Sequence, residues 1–231
     1  MTDLYVVAGA RPWNRAVFDN RIATRPGTWV FAGTPPELTA ERLETLRPRY
    51  VFFLHWSWKV PTEILDAHEC IGFHMTDLPY GRGGSPLQNL ILRGHRTTKL
   101  TAIRLVEETD AGPVYLKAPL SLDGRAEDVY VRASLLAADL MMKILESPPT
   151  PMPQQGDVVA FRRRRPVESR LPEHATPEQL YDFIRMLDAE GYPRAFVDSG
   201  EWRYEFSNAS LDGECVRADV RISPIPAADC L

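Results

Sequence analysis

The chain has 231 residues, of which 44% are hydrophobic and 25% charged, with a formal net charge of −4. That balance fits an ordinary globular protein with room for a sizeable core, and it argues against a general nucleic-acid-binding surface. No apolar run is long enough to span a bilayer, and no basic segment followed by an apolar stretch opens the chain, so neither a membrane nor a secretory signal is expected.

Residues 4–8 (LYVVA) form an apolar run ending at Gly9 and predict a buried strand. A helix is expected over 14–20, a second strand over 28–32, a helix over 35–46 stopped by Pro48, and a third strand over 50–54. A short helix over 61–68 precedes a strand over 70–74. This alternation predicts an α/β fold: a Rossmann-like, mostly parallel sheet with helices on both faces and ligands at the carboxyl ends of the strands. The first strand leads into Gly9-Ala10-Arg11-Pro12, which matches neither common phosphate loop.

Pro86 opens a helix over 86–93, strands are expected over 98–106 and 113–117, and the longest helix over 125–146. Residues 147–153 (SPPTPMP) are stiff and extended, so the chain is divided into a domain over 1–147, a linker over 148–157 and a small α+β appendage over 158–231. In that appendage a strand is expected over 158–161, a helix over 176–187 capped by Thr176, and short strands over 196–197, 202–206 and 216–222. The run Arg162–Arg165 reads as a solvated basic stretch. Cys70, Cys215 and Cys230 are an odd set without CxxC spacing, which points to a reducing cytoplasm and to no metal site.

His74 stands where an apolar strand opens into a loop of Pro, Gly and Arg, and Asp110 stands just before a Gly-Pro. A histidine can take a proton from an amine and a carboxylate can orient its ring. Taken alone, however, a histidine at a strand end is more often structural, and an aspartate before glycine is more often a turn residue.

Taken together the pieces are more specific. Gly72-Phe73-His74, Leu78-Pro79, Arg82-Gly83-Gly84-Ser85-Pro86-Leu87-Gln88 and Asp110-Ala111-Gly112-Pro113 resemble the formyltransferase family that uses 10-formyltetrahydrofolate. That family carries Asn-x-His-x-x-x-x-Pro, a glycine-bearing loop into a Pro-x-Gln helix, and Asp-x-Gly. The likeness covers residues 50–115 and, weakly, the rest of the first domain.

The resemblance implies an N-formyltransferase with His74 and Asp110 as catalytic residues and 10-formyltetrahydrofolate as co-substrate. Trp56, Trp58, Arg82, Gly83, Gly84, Val106, Glu107 and Thr109 are then expected at the folate. His55, Ser57, Thr76, Asp77 and Tyr80 are expected at the acceptor, and no metal takes part. The family's Asn is replaced by Gly72, so another donor must hold the formyl oxygen as charge builds on it; His74, Thr76, His55, Ser57 and a backbone N–H are candidates.

The expected acceptor is an amino sugar, nucleotide-linked, with no nucleic acid or membrane as partner and a homodimer left open. The alternatives are a non-catalytic folate or nucleotide-sugar binding protein, a formyltetrahydrofolate hydrolase, and a formyltransferase acting on another amine such as methionyl-tRNA.

Overall fold

In the computed structural model, which describes residues 2–225, the elements of the first half run β1 (Leu4–Gly9), α1 (Pro12–Val17), β2 (Thr28–Ala32), α2 (Ala40–Leu46), β3 (Tyr50–Leu54), α3 (Thr62–Ala67), β4 (Cys70–His74) and β5 (Tyr80–Gly83). There follow α4 (Pro86–Leu92), β6 (Thr97–Arg104), β7 (Val114–Ser121), α5 (Ala126–Glu146), β8 (Val159–Phe161), α6 (Pro177–Arg185), β9 (Ala195–Ser199), β10 (Trp202–Asp212) and β11 (Cys215–Pro224). Cys230 lies outside the described residues.

The apolar runs pair into a six-stranded sheet of order β2-β1-β3-β4-β6-β7. β1 to β4 are parallel, and β6 lies antiparallel to β4. Strands covered on both faces must be apolar throughout, and Val6, Val7, Ala8, Val51, Phe52 and Leu54 are all essentially inaccessible. From β1 the chain pairs first with β2 on one side and then with β3 on the other, so the switch of direction falls between β1 and β3. His74 ends β4, beside β3, at the carboxyl end of these strands. Because β6 is antiparallel, its Thr101 pairs with His74 and its hydroxyl donates to the Thr76 carbonyl (2.6 Å).

Local chemistry adjusts several element boundaries. The helix expected over 35–46 is two pieces, a 3-10 turn at Pro35–Glu37 and then α2, because Leu38 leaves helical geometry and Thr39 caps a new start by accepting from the Arg42 N–H. The helix expected over 14–20 begins at Pro12 and passes into a π-helical turn at Phe18–Ile22. β5, a Gly-rich run without apolar alternation, is a strand that sequence periodicity does not signal; it pairs in parallel with β8.

Two units alternate along the chain. One holds Met1–Pro86, Thr97–Leu120 and Tyr130–Phe161; the other holds Leu87–Arg96, Ser121–Val129 and Arg162–Leu231. Residues 148–157, expected as a linker, fall within the first unit, where Met152 and Val114 exchange backbone hydrogen bonds at 2.7 and 2.9 Å.

In the second unit β9, β10 and β11 form an antiparallel sheet against which α6 packs. Thr176 and Gln179 cap α6 reciprocally, side chain to backbone in both directions. Arg185 is buried with its Nε donating to Asp182 and its Nη1 to the carbonyls of Leu122 and Gly124, and the Gln88 amide donates to the Met186 carbonyl (2.9 Å). Those bonds explain why residues 87–96 and 121–129 go with the C-terminal unit.

Gly112 is the position where the first unit tolerates least. A Cβ there would lie 1.7 Å from the Arg104 carbonyl oxygen, a backbone atom held in β6. Gly112→Ala should therefore cost on the order of 3 kcal/mol. Chemical denaturation reads it, and an unchanged midpoint would show that the 104–112 backbone gives way easily.

Candidate active site

His74 is held by two contacts. Its Nε2 lies 2.8 Å from the Gly81 carbonyl oxygen, and its Nδ1 lies 3.4 Å from Asp110 Oδ1. A carbonyl oxygen only accepts, so the Nε2 must carry a hydrogen. In the neutral ring Nδ1 is then a bare lone pair turned toward a carboxylate. A hydrogen on Nδ1 would make that contact attractive.

Asp110 sits at φ +54°, in the left-handed region that a non-glycine residue enters only at a cost. Its second carboxylate oxygen accepts from the Gly83 N–H at 2.9 Å, which ties it to the end of β5. Gln154 donates to the Asp110 and Gly112 carbonyls, and Arg82 donates to Gln154 and Glu108. The Gly81 carbonyl and Gln154 are the participants that reading the sequence missed. A backbone carbonyl leaves no sequence signal, and a glutamine after a proline run has no motif.

The structure places the expected folate and acceptor residues unevenly. Arg82 and Gly83 stand beside Asp110, but the Gly83 N–H is given to Asp110 and the Gly84 N–H to the Phe161 carbonyl, so the loop shapes the site. Val106, Glu107 and Thr109 are exposed on the loop before Asp110. Trp56 packs on the core and against Phe53, with Trp58 set edge-on to it at 4.8 Å between centroids. Ser57 and Trp58 are exposed, and Trp56 borders a groove of about 430 Å3 with Leu38, Pro61 and Ile64.

Of the expected acceptor residues, Thr76 is corrected. It is wholly buried and its hydroxyl donates weakly to the Gly81 carbonyl (3.4 Å), so it braces the loop. Asp77 is clasped by Lys117 (2.5 Å) and Lys99 (2.9 Å), which hold its carboxyl below the usual range against the opposing effect of its partial burial. Lys117 also donates to the Leu78 carbonyl, so this trio anchors the loop after His74. Tyr80 packs edge-on against Phe161.

His55 belongs to a polar cluster under α5. The Arg11 N–H binds Asn14 Oδ1, which turns the Asn14 amide nitrogen toward His55 Nδ1 (3.3 Å) and Ser134 Oγ (3.0 Å). His55 Nδ1 is therefore an acceptor, Nε2 points its hydrogen at Met75 Sδ (3.5 Å), and the ring is neutral. Burial, helped by the Arg11 cation, pushes His55 down to about 4. Tyr130 meets the ring edge-on at 5.1 Å.

Gly72 occupies its place for a steric reason as well. It does not have a positive φ, but a Cβ there would lie 2.5 Å from Leu105 Cδ2. A side chain added here would have to displace the end of Leu105. Thr76 and His55 are committed elsewhere, as are both ring nitrogens of His74, which leaves Ser57 and a backbone N–H as candidate donors to a formyl oxygen. Among the described residues, no group of three His, Cys, Asp or Glu side chains could hold a metal ion. Cys70 and Cys215 are free thiols, and burial pushes Cys70 up to about 12.

Residues 166–223 match the family model for the methionyl-tRNA formyltransferase C-terminal domain. A solved methionyl-tRNA formyltransferase from Clostridium thermocellum is 40% identical, with a TM-score of 0.91, covering 96% of this chain and 99% of that one. The methionyl-tRNA formyltransferase of Lacticaseibacillus casei is 36% identical over 145 residues, 58% of this chain and 45% of that protein. HypX from Aquifex aeolicus, solved with tetrahydrofolic acid, shares the fold at 19% identity and TM-score 0.73, covering 89% of this chain and 37% of that one. The chain spans about half the length of the curated relatives it matches. These matches overturn two expectations, the amino-sugar acceptor and the absence of a nucleic-acid partner, since the relatives at 36% and 40% identity are methionyl-tRNA formyltransferases.

The His55 cluster makes stability depend on pH. The folded ring resists protonation down to about 4, whereas the unfolded one accepts a proton near 6.5, so the unfolded chain binds more protons between those values. The contribution is intact above pH 6.5 and is lost as pH falls toward 4, amounting to up to about 3 kcal/mol. His55→Asn, which tolerates the φ of +46° at this position, should flatten the fall by close to one proton at pH 5. Denaturant unfolding across that range measures it, and an unaltered slope would contradict the assignment.

Proposed function

This chain belongs to the formyltransferase family, and on that premise we propose that it transfers a formyl group from 10-formyltetrahydrofolate to the amino group of methionyl-tRNA. The observation that carries the reading is the His74–Asp110 pair, with Nε2 fixed on a carbonyl and Nδ1 turned to a carboxylate. 10-Formyltetrahydrofolate is the co-substrate of this family, and when bound it supplies the formyl carbon that an amine can attack.

The chain's own residues supply the proton handling. His74 Nδ1 takes the hydrogen that the acceptor nitrogen loses as it bonds to the formyl carbon, and returns it to the folate nitrogen as the bond from that nitrogen to the formyl carbon breaks, so that tetrahydrofolate leaves. The imidazolium so formed is stabilised by Asp110 Oδ1, whose carboxylate is steadied by the Gly83 N–H. The exposed Trp58, Trp56 set edge-on to it, and the exposed loop over 106–109 are the residues that would hold the flat ring of the folate.

The chain's net charge is negative, but the run Arg162–Arg165 concentrates positive charge where a phosphate backbone could meet it; Arg162, Arg163 and Arg165 are exposed. We place the reaction in the cytoplasm on the ground of the proposed methionyl-tRNA acceptor; among the described residues no helix is long and apolar enough to cross a membrane.

The test is release of tetrahydrofolate from 10-formyltetrahydrofolate with and without methionyl-tRNA. Release that requires methionyl-tRNA and yields its N-formyl form is expected. His74→Ala should lower turnover at least about a hundredfold with its circular dichroism unchanged. Release without any amine would make the protein a hydrolase, and near-normal turnover in folded His74→Ala would remove this histidine from the chemistry.

A further inference from the structure

We propose that Gln154 is a positioning residue that sets the geometry of Asp110, and that the proline-rich segment 148–157 is a strap built to present it. The proposal rests on the reading of Asp110 as the partner of His74.

The Gln154 side chain uses its full hydrogen-bonding capacity within the first unit. Its amide nitrogen donates to the Asp110 carbonyl at 2.7 Å and to the Gly112 carbonyl at 2.8 Å. Its oxygen accepts from Arg82 Nε at 3.0 Å and Nη2 at 2.9 Å. Two donors and two acceptor sites are what a primary amide has. The amide can be oriented only one way, since turning it over would set oxygen against two carbonyls and N–H against a guanidinium.

What this amide holds is the backbone on either side of Ala111, where Asp110 is kept at φ +54°. A non-glycine residue persists in that region when its surroundings over-determine it. Gln154 supplies that restraint at the carbonyl of the residue whose carboxylate faces His74 Nδ1 (3.4 Å) and the Gly83 N–H (2.9 Å). The same Arg82 that binds Gln154 reaches Glu108 Oε1 (3.2 Å), so both flanks of the 108–112 loop are tied to one guanidinium.

The strap itself is anchored at both ends. Before Gln154, Met152 pairs with Val114; after it, the Val159 N–H bonds to the Pro79 carbonyl and β8 pairs with β5. Pro148, Pro149, Pro151 and Pro153 restrict the chain leading to Gln154, so little freedom is lost when its side chain is fixed.

The full-length chain carrying Gln154→Ala should lose about tenfold to a hundredfold in kcat with 10-formyltetrahydrofolate and methionyl-tRNA, while both KM values stay within about threefold. In an Asp110→Asn background the same change should cost almost nothing more, because it acts through a carboxylate already removed. Gln154→Glu keeps the size and the acceptor for Arg82 but cannot donate to the two carbonyls, and should behave like Gln154→Ala.

An arm without substrate separates this proposal from the one beneath it. Hydrogen exchange at the Gly83 amide, which Asp110 Oδ2 protects, should speed up about tenfold or more in Gln154→Ala while amides of β1 and β3 keep their protection. Wild-type kcat in Gln154→Ala, an equal loss in the Asp110→Asn background, or unchanged Gly83 exchange would each overturn the positioning role. Wild-type turnover in Asp110→Asn would instead sink the reading of Asp110, and Gly83 exchange alone would then decide whether Gln154 positions it.

Discussion

A carbonyl oxygen that can only accept decides how this site works. With the Nε2–H of His74 given to Gly81, the ring can offer only Nδ1 to chemistry, and Nδ1 faces Asp110. The surroundings serve that bond. Gly81 has φ +82°, and a Cβ on it would press on Thr76 and Phe161, so a side chain there is excluded both by conformation and by space. Thr76 and Asp77 then brace the turn that returns Gly81 to the histidine, one by burial and one through two lysines.

The sheet explains why the parts meet. Parallel strands deliver their carboxyl ends to one edge, which places His74 there, and the antiparallel β6 brings Thr101 to the same edge. β6 leads into the 106–112 loop, where Gly112 must be bare because its backbone lies against the Arg104 carbonyl. Asp110 therefore arrives on a loop that has little freedom to be elsewhere. His55, the residue after β3, takes the opposite course: its nitrogens are satisfied by Asn14, Ser134 and Met75, and it remains a neutral packing residue.

Much of this was legible from residue order. Buried strands announced themselves as unbroken Val, Phe and Leu runs, and Pro86 and Thr176 marked helix starts within one residue. His74 and Asp110 could be paired only through resemblance to a family, since neither residue type carries a signal by itself. Long-range hydrogen bonds were the hidden part. Nothing in YGRG predicts pairing with VAF, and nothing in PMPQQG predicts that its first glutamine reaches back to residues 110 and 112. The acceptor was misjudged for a different physical reason: net charge averages over the whole surface, and a local run such as Arg162–Arg165 reads equally well as a solvated stretch or as a phosphate contact.

The tautomer of His74 tests the central claim most directly, and it can be read without substrate. Long-range proton–nitrogen correlation spectra of the ring, taken where the imidazole is neutral, distinguish a protonated Nε2 from a protonated Nδ1. The hydrogen is expected on Nε2, with Nδ1 unprotonated. A neutral ring with its hydrogen on Nδ1 would contradict the assignment, because Nε2 would then face a carbonyl with nothing to donate and Nδ1 would have no lone pair left to take the acceptor's proton.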